Sequence, residues 1–277
     1  MFLRATIQLG FAAAAMGHNM ARDPDRHCGI ADPASLVHLA ALDESLSVGS
    51  LRGAAIEPIE VDLYFHVVTD SANSSEGRVT DAQLEKQLLV LNTDYEPAGI
   101  SFVHRNTTRT VSDTWAHAGD DLGMKRTLRQ GGYNALNVYF LTEVDGYLGF
   151  ATFPRADAPE GSDAFIEDGA VILAGTVPGG GEVKYNLGKT TTHEAGHWFG
   201  LYHTFQGGCN GAGDQVDDTP AEASPASGCQ KGRDSCPRQP GLDPVENYMD
   251  YSDDACMTEF SPGQIDRMRA MWYKVRD

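Results

Sequence analysis

A chain of 277 residues with 21 Lys and Arg against 39 Asp and Glu has a formal net charge of −18, which repels a phosphate backbone and excludes nucleic acid as a natural partner. Hydrophobic residues at 41% suffice for a folded core, while 30 Gly and 13 Pro point to many turns and long shaped loops. No interior run approaches the roughly 20 apolar residues of a membrane helix, so the sequence predicts no membrane insertion.

In chain order, Met1 to Gly17 combines one early charge, Arg4, an apolar stretch from Ile7 to Met16, and small residues Ala15 and Gly17 at its end. That pattern predicts a secretion signal peptide over residues 1–17. Residues 22–57 are polar, carry Cys28, and contain a single helix-like piece from Pro33 to Leu46, where Leu36, Leu39, Leu42 and Leu46 approximate the helical period. The texture changes at Ile59. IEVDLYFHVVT (residues 59–69) alternates as a strand, and Thr80-Asp81-Ala82-Gln83 opens a helix bearing Leu84, Leu88 and Leu91 that ends near Tyr95, before Pro97. ISFVHRNTTR, ALNVYFL (135–141), GYLGFATF and GAVILAG read as four further strands. Helical texture returns from Leu187 to Phe199, and again after Ser261-Pro262, where Ile265, Met268 and Met271 share a face. These elements predict a mixed α/β fold built on a sheet. Asn73-Ser74-Ser75 and Asn106-Thr107-Thr108 are glycan acceptor triplets.

The sharpest chemistry lies in HEAGHWFGLYH, residues 193–203. His193 and His197, four apart, share one helix face with Glu194 beside them, and Gly200 permits a reversal that brings His203 round as a third imidazole. Zinc accepts three imidazoles and keeps an open position for water, whose proton Glu194 is placed to take. His193, His197 and His203 are therefore the candidate zinc ligands and Glu194 the candidate general base.

HExxHxxGxxH resembles the zinc signature of the metzincin endopeptidases. The longer runs TTHEAGHWFGLYHTFQGGC and NYMDYSDDACMTEFSPGQIDRMR are similar to the pappalysin family, especially its small secreted bacterial and fungal members. The resemblance covers most of residues 59–275. It implies an α+β zincin with an upper subdomain of twisted sheet and active-site helix, a lower loop-rich subdomain with a C-terminal helix, and a horizontal cleft between them. On this reading residues 1–17 are a secretion signal peptide, 18–55 a short propeptide and 56–277 the catalytic metalloprotease domain. The family pattern assigns Met249 to the turn beneath the zinc site, and Tyr251 to a position near the metal where it steadies the tetrahedral intermediate. Gly149, Phe150, Ala151 and Thr152 resemble the edge strand that pairs with an extended peptide, and they also read as ordinary strand residues. The implied partners are protein and peptide substrates in extended conformation, met outside the cell; the sequence does not assign an oligomeric state.

From Gln206 to Glu259 there are eleven acidic residues and three basic ones, a segment that repels itself unless cations or cross-links condense it. Relatives place a calcium site here, which implies ligands from Asp214, Val216 through its carbonyl, Asp217 and Thr219; aspartates that simply face water are the other reading. Four of the five cysteines fall in this stretch, in keeping with export, and they allow three pairings. The family resemblance favours the crossed pairs Cys209–Cys236 and Cys229–Cys256. Cys28 is left over, and it resembles a propeptide cysteine whose thiolate fills the open zinc position of a zymogen; a propeptide cysteine without metal contact is the alternative. The function expected is that of a secreted zinc-dependent endopeptidase. The alternative is a catalytically silent secreted binding module stabilised by its metal, against which Glu194 counts.

Overall fold

The computed structural model describes Cys28, Leu39, Ala40, Leu42, Asp43, residues 57–72 and residues 77–277. The expected leader, most of the expected propeptide, and Asn73 lie outside the described residues.

Strand β1 (Ile59–Thr69) buries Ile59, Val61, Leu63, Phe65 and Val67, the alternate positions that its sequence makes apolar. Thr80 then caps helix α1 (Asp81–Tyr95): Gln83 N donates to Thr80 Oγ1 at 3.3 Å and Thr80 N to Gln83 Oε1 at 3.0 Å. A short turn ending at Gly99 returns the chain as β2 (Ile100–Val111), parallel to β1, so the helix is a crossover on one face of the sheet. Two short helices, α2 (Asp113–Ala116) and α3 (Asp121–Leu128), precede β3 (Ala135–Leu141). Next come β4 (Gly149–Ala151), α4 (Asp163–Glu167) and β5 (Ala170–Leu173). The five strands lie in the order β2-β1-β3-β5-β4, parallel except for β4, which runs antiparallel to β5 at the edge. The edge strand is shorter than its sequence suggests because β5 offers only four residues to pair with.

All seven residues of β3 are buried, as a central strand covered on both faces requires. Leu136, Val138 and Phe140 face the main core, together with Leu84, Leu91 and Tyr95 of α1. The same core takes Ala195 and Trp198 from α5 (Lys189–Trp198), and Met268 and Trp272 from α6 (Pro262–Val275). Tyr139 and Leu141 face a second, smaller cluster with Ala116 of α2 and Met124 of α3. Each fully buried Leu or Phe contributes about 1.5–3 kcal/mol, so apolar burial is the main support of the sheet half.

The connection from Leu201 to Ser261 is built differently. Among the described residues its regular structure is one short turn, Gly208–Asn210, and an isolated bridge between Asn247 and Glu259. Two disulfides, Cys209–Cys236 and Cys229–Cys256, interleave along it. Arg233 pairs with both Glu222 and Asp243, whose side chains are buried. The acidic loop is thus condensed by covalent links and by one shared guanidinium. Among the described residues no helix is long and apolar enough to cross a membrane.

Candidate metal and catalytic site

Helix α5 places His193 and His197 one turn apart, and their Nε2 atoms lie 3.1 Å from each other. The chain reverses at Gly200 with φ of +93°; a Cβ there would sit 2.9 Å from Met271 Cγ, so both backbone and space demand glycine. The reversal delivers His203, whose Nε2 stands 3.0 Å from that of His197 and 3.2 Å from that of His193.

The outer ring nitrogens fix the tautomers of the first two. His193 Nδ1 donates to Tyr248 O at 2.7 Å and His197 Nδ1 to Leu201 O at 2.8 Å, because a carbonyl can only accept. The Nε2 lone pairs therefore point at a common centre. Burial lowers His197 to about 4, and burial followed by its two neighbours holds His203 well below the ordinary imidazole value. Three neutral imidazoles bring their Nε2 atoms within 3.2 Å of one another, close enough to share one cation. An all-imidazole donor set suits zinc, and these residues fit it.

Glu194 is fully buried, and its Oε1 has no hydrogen-bond partner among the described residues. Burial pushes its carboxyl up to about 8. Its Oε2 accepts from Cys28 Sγ at 3.5 Å. Cys28 and the three histidines bring four donor atoms within 4.8 Å of one another. The Cys28 backbone bridges in parallel to Gly149, on the cleft side of β4, and its carbonyl accepts from the Tyr251 hydroxyl at 3.4 Å. That hydroxyl also lies 3.2 Å from His203 Nε2. Burial raises the Tyr251 phenol, and burial followed by Glu194 raises the Cys28 thiol.

Met249 is wholly buried, and its sulfur occupies the space that a side chain on Gly196 would need, directly beneath the histidine pair. Met249 N donates to Asn247 Oδ1 at 2.9 Å, while its carbonyl accepts from Thr204 N at 3.2 Å, tying this floor to the neighbour of His203. Along the edge strand, the Phe150 ring packs on the second cluster with Lys125 Nζ 5.4 Å from its centre. Thr152 Oγ1 accepts from Gly169 N at 3.0 Å. The side chains of Phe150 and Thr152 serve the fold.

Asp214 to Thr219 form one tight turn. Asp214 Oδ1 accepts from Val216 N at 3.1 Å, and the Val216 carbonyl accepts from Thr219 Oγ1 at 3.2 Å. Asp214 Oδ2 is buried without a hydrogen-bond partner among the described residues, and burial raises that carboxyl to about 6. Asp217 is exposed. The neighbouring Asp218 instead accepts from Ser261 Oγ at 2.6 Å and Gly263 N at 2.8 Å, at the start of α6.

Two of the buried carboxylates that escaped the sequence reading fasten α5. Asp94, at the end of α1, accepts from Lys189 Nζ at 2.7 Å, Thr192 Oγ1 at 2.7 Å and the Tyr248 hydroxyl at 3.0 Å. It fastens α5 to the residue whose carbonyl orients His193. Asp168 accepts from Trp198 Nε1 at 3.0 Å and from Arg276 Nη2 at 2.9 Å, anchoring the far end of the same helix. No local motif announces either one, since their partners lie 30 to 154 residues away.

The family model described as pregnancy-associated plasma protein-A, Peptidase M43, matches residues 131–272. An extracellular metalloprotease of Colletotrichum graminicola is 56% identical over 235 residues, covering 84% of each chain. Extracellular metalloprotease 1 of Coccidioides posadasii is 50% identical over 271 residues, covering 95% of this chain and 96% of its own. Among solved structures, a promirolysin mutant of Tannerella forsythia superposes with a TM-score of 0.74 at 26% identity, covering 89% of this chain and 94% of its own. Mature mirolysin in complex with a cleaved peptide gives 0.67 at 29%, with coverage of 78% and 92%. With the three-imidazole centre inside the matched segment and fungal relatives alike along nearly the whole length, the chain belongs to the M43 peptidase family and has a metzincin-like fold.

Proposed function

We propose that this chain is a secreted zinc endopeptidase that hydrolyses internal peptide bonds, made with a signal peptide over residues 1–17 and kept latent by residues 18–55. The carrying observation is the convergence of three Nε2 atoms beside the buried Oε1 of Glu194. His193, His197 and His203 would hold zinc, which when bound would supply Lewis acidity toward a peptide carbonyl and a water. Glu194 takes the proton of the attacking water as its oxygen bonds the carbonyl carbon, then gives that proton to the leaving nitrogen as the C–N bond breaks. Tyr251, its hydroxyl beside His203, donates to the carbonyl oxygen as charge develops there. The backbone of Gly149–Thr152 holds the substrate extended, and Met249 supports the histidines from below.

Cys28 completes a four-donor set and sits on the edge strand where substrate would pair, which supports latency through that thiol. The wider coverage by the promirolysin mutant than by mature mirolysin supports a precursor segment here. The extracellular relatives support export. The same reading assigns calcium to the Asp214 turn, supported by the buried Asp214 Oδ2, and glycans to Asn73 and the exposed Asn106.

The test is Glu194→Ala, with cleavage sites in denatured proteins mapped by mass spectrometry. Zinc content should persist while hydrolysis falls by about 10²–10⁴-fold. Full hydrolysis by the variant sinks the base assignment. Zinc-loaded protein that cleaves nothing after loss of residues 18–55 returns the case to a silent binding module.

A further inference from the structure

Among the described residues, the N-terminal segment meets the fold at a second place besides the metal site. Leu39, Ala40, Leu42 and Asp43 have helical backbone. Leu39 and Leu42, three apart on one face, are buried against Phe153, Tyr202 and Met271 in an apolar cluster separate from the main core. Asp43 accepts from Arg267 Nη2 at 2.5 Å and from the Tyr202 hydroxyl at 3.0 Å. The Arg267 side chain is only 3% exposed, and the fold already orients it. Its Nε donates to Gly200 O at 2.8 Å, and its guanidinium lies 5.1 Å over the Tyr202 ring.

This contact is placed along the cleft. Cys28 bridges in parallel to Gly149, and Leu39 and Leu42 reach Phe153, so both described parts of the segment meet the edge strand or the residues just after it. Phe153 packs edge-on to the His197 ring, 5.3 Å between centres. Beside Asp43 a cavity of about 480 Å³ opens toward Gln206, Gly207 and Gln215. The groove therefore adjoins the metal site without containing a candidate zinc ligand or the candidate base.

A buried guanidinium held on one side by Gly200 O turns its remaining edge to Asp43, and that edge selects a carboxylate because the planar fork matches one and because leaving it unpaired is costly. We infer that Phe153, Tyr202, Arg267 and Met271 form a peptide-recognition groove distinct from the metal cleft, selective for an apolar helical turn followed at once by a carboxylate. Residues 39–43 are its ligand in the uncleaved chain. Once they leave, the groove takes the same pattern from a protein substrate at a distance from the bond cut; this substrate role rests on the protease reading, whereas the binding does not.

The probe is a fluorescein-labelled peptide of residues 33–47. The receptor is the full chain carrying Glu194→Ala, so that nothing is cleaved, with Leu39→Ala, Leu42→Ala and Asp43→Asn to vacate the groove. Fluorescence anisotropy should show saturable binding to this opened chain, at least tenfold weaker binding to the chain with its own segment seated, and at least tenfold weaker binding of the peptide bearing Asp43→Asn. Arg267→Gln in the opened chain should abolish the preference between the two peptides. Failure of the opened chain to bind, with zinc content and thermal transition retained, overturns the proposal. So does equal binding of the two peptides, a comparison that needs no Arg267 variant to fold. The readout involves no turnover: binding without hydrolysis in the Glu194-containing chain would sink only the protease reading, and hydrolysis without binding only the groove.

Discussion

Between Ile59 and Leu173 the chain is held by apolar burial, with a central strand buried at every position and clusters on both of its faces. Between Leu201 and Ser261 it is held by two interleaved disulfides and by Arg233 shared between two buried carboxylates. The metal site draws on both. His193 and His197 ride on a helix packed against the sheet, whereas His203, Met249 and Tyr251 belong to the cross-linked half. A site that spans two modes of stabilisation can lose His203 while His193 and His197 stay on a folded helix.

The largest test of that contrast is covalent. Each disulfide joins cysteines 27 residues apart, and a loop of that size is worth about 3–4 kcal/mol. Replacing Cys229 and Cys256 with serine should raise hydrogen exchange across residues 201–261 and lower zinc retention, with the amides of β1 and β3 still protected. Leu63→Ala should do the reverse, costing about 2–5 kcal/mol and raising exchange in the sheet first. Equal loss of protection in both halves from either change would mean that the molecule unfolds as one unit.

A smaller effect sharpens the join between the halves. Asp94 holds Lys189 and Thr192 of α5 on one side and the Tyr248 hydroxyl on the other, and the Tyr248 carbonyl orients His193. Asp94→Asn should weaken zinc affinity by about tenfold, at the low end for groups behind a metal ligand, with little change in the thermal transition of the zinc-free protein. Competition with a chelator reads it; unchanged affinity would reduce Asp94 to a packing residue.

The smallest expected effect is a difference in sign with pH. Burial lowers His66, on β1, from 6.5 to about 4. Between those values the unfolded chain binds a proton that the fold refuses, so the sheet half loses stability as pH falls through that window. Burial raises Asp250 and Asp254, in the other half, from 3.8 to about 6. Here the fold binds the extra protons, and stability is lost as pH rises from 3.8 to 6. Hydrogen exchange compared at the two ends should show opposite trends in the two halves, with the acid trend of the sheet removed in His66→Gln. Parallel trends would refute the assignment.

What the sequence made legible follows the same division. Alternation located β1, the short run ALNVYFL located β3, the Thr80 and Ser261 caps located α1 and α6, and the spacing 193, 197, 203 located the imidazoles, because each is a local pattern. Helices α2 and α4, of four and five residues, are too short to show a period, and the eight-residue α3 was missed with them. Asp94, Asp168 and Arg267 act through partners far away in sequence, so the fold must exist before their roles can be seen. The strand containing Phe150 and Thr152 was visible, but which side chains serve the core was decided by sheet neighbours that alternation does not name.

The interleaving of the two disulfides also decides what happens when this loop is nicked. Along the chain the cysteines run 209, 229, 236, 256, with the first joined to the third and the second to the fourth. A cut between Cys209 and Cys229 leaves its products tied by Cys209–Cys236. A cut between Cys236 and Cys256, the stretch holding Met249 and Tyr251, leaves them tied by Cys229–Cys256. A cut between Cys229 and Cys236 is spanned by both. Adjacent bridges, Cys209 to Cys229 and Cys236 to Cys256, would leave the bonds between Cys229 and Cys236 unguarded; the crossed arrangement guards every bond from 209 to 256. A single nick there sheds no fragment until the bridges are reduced, so the site's lower wall stays attached to the sheet after damage that would otherwise remove it.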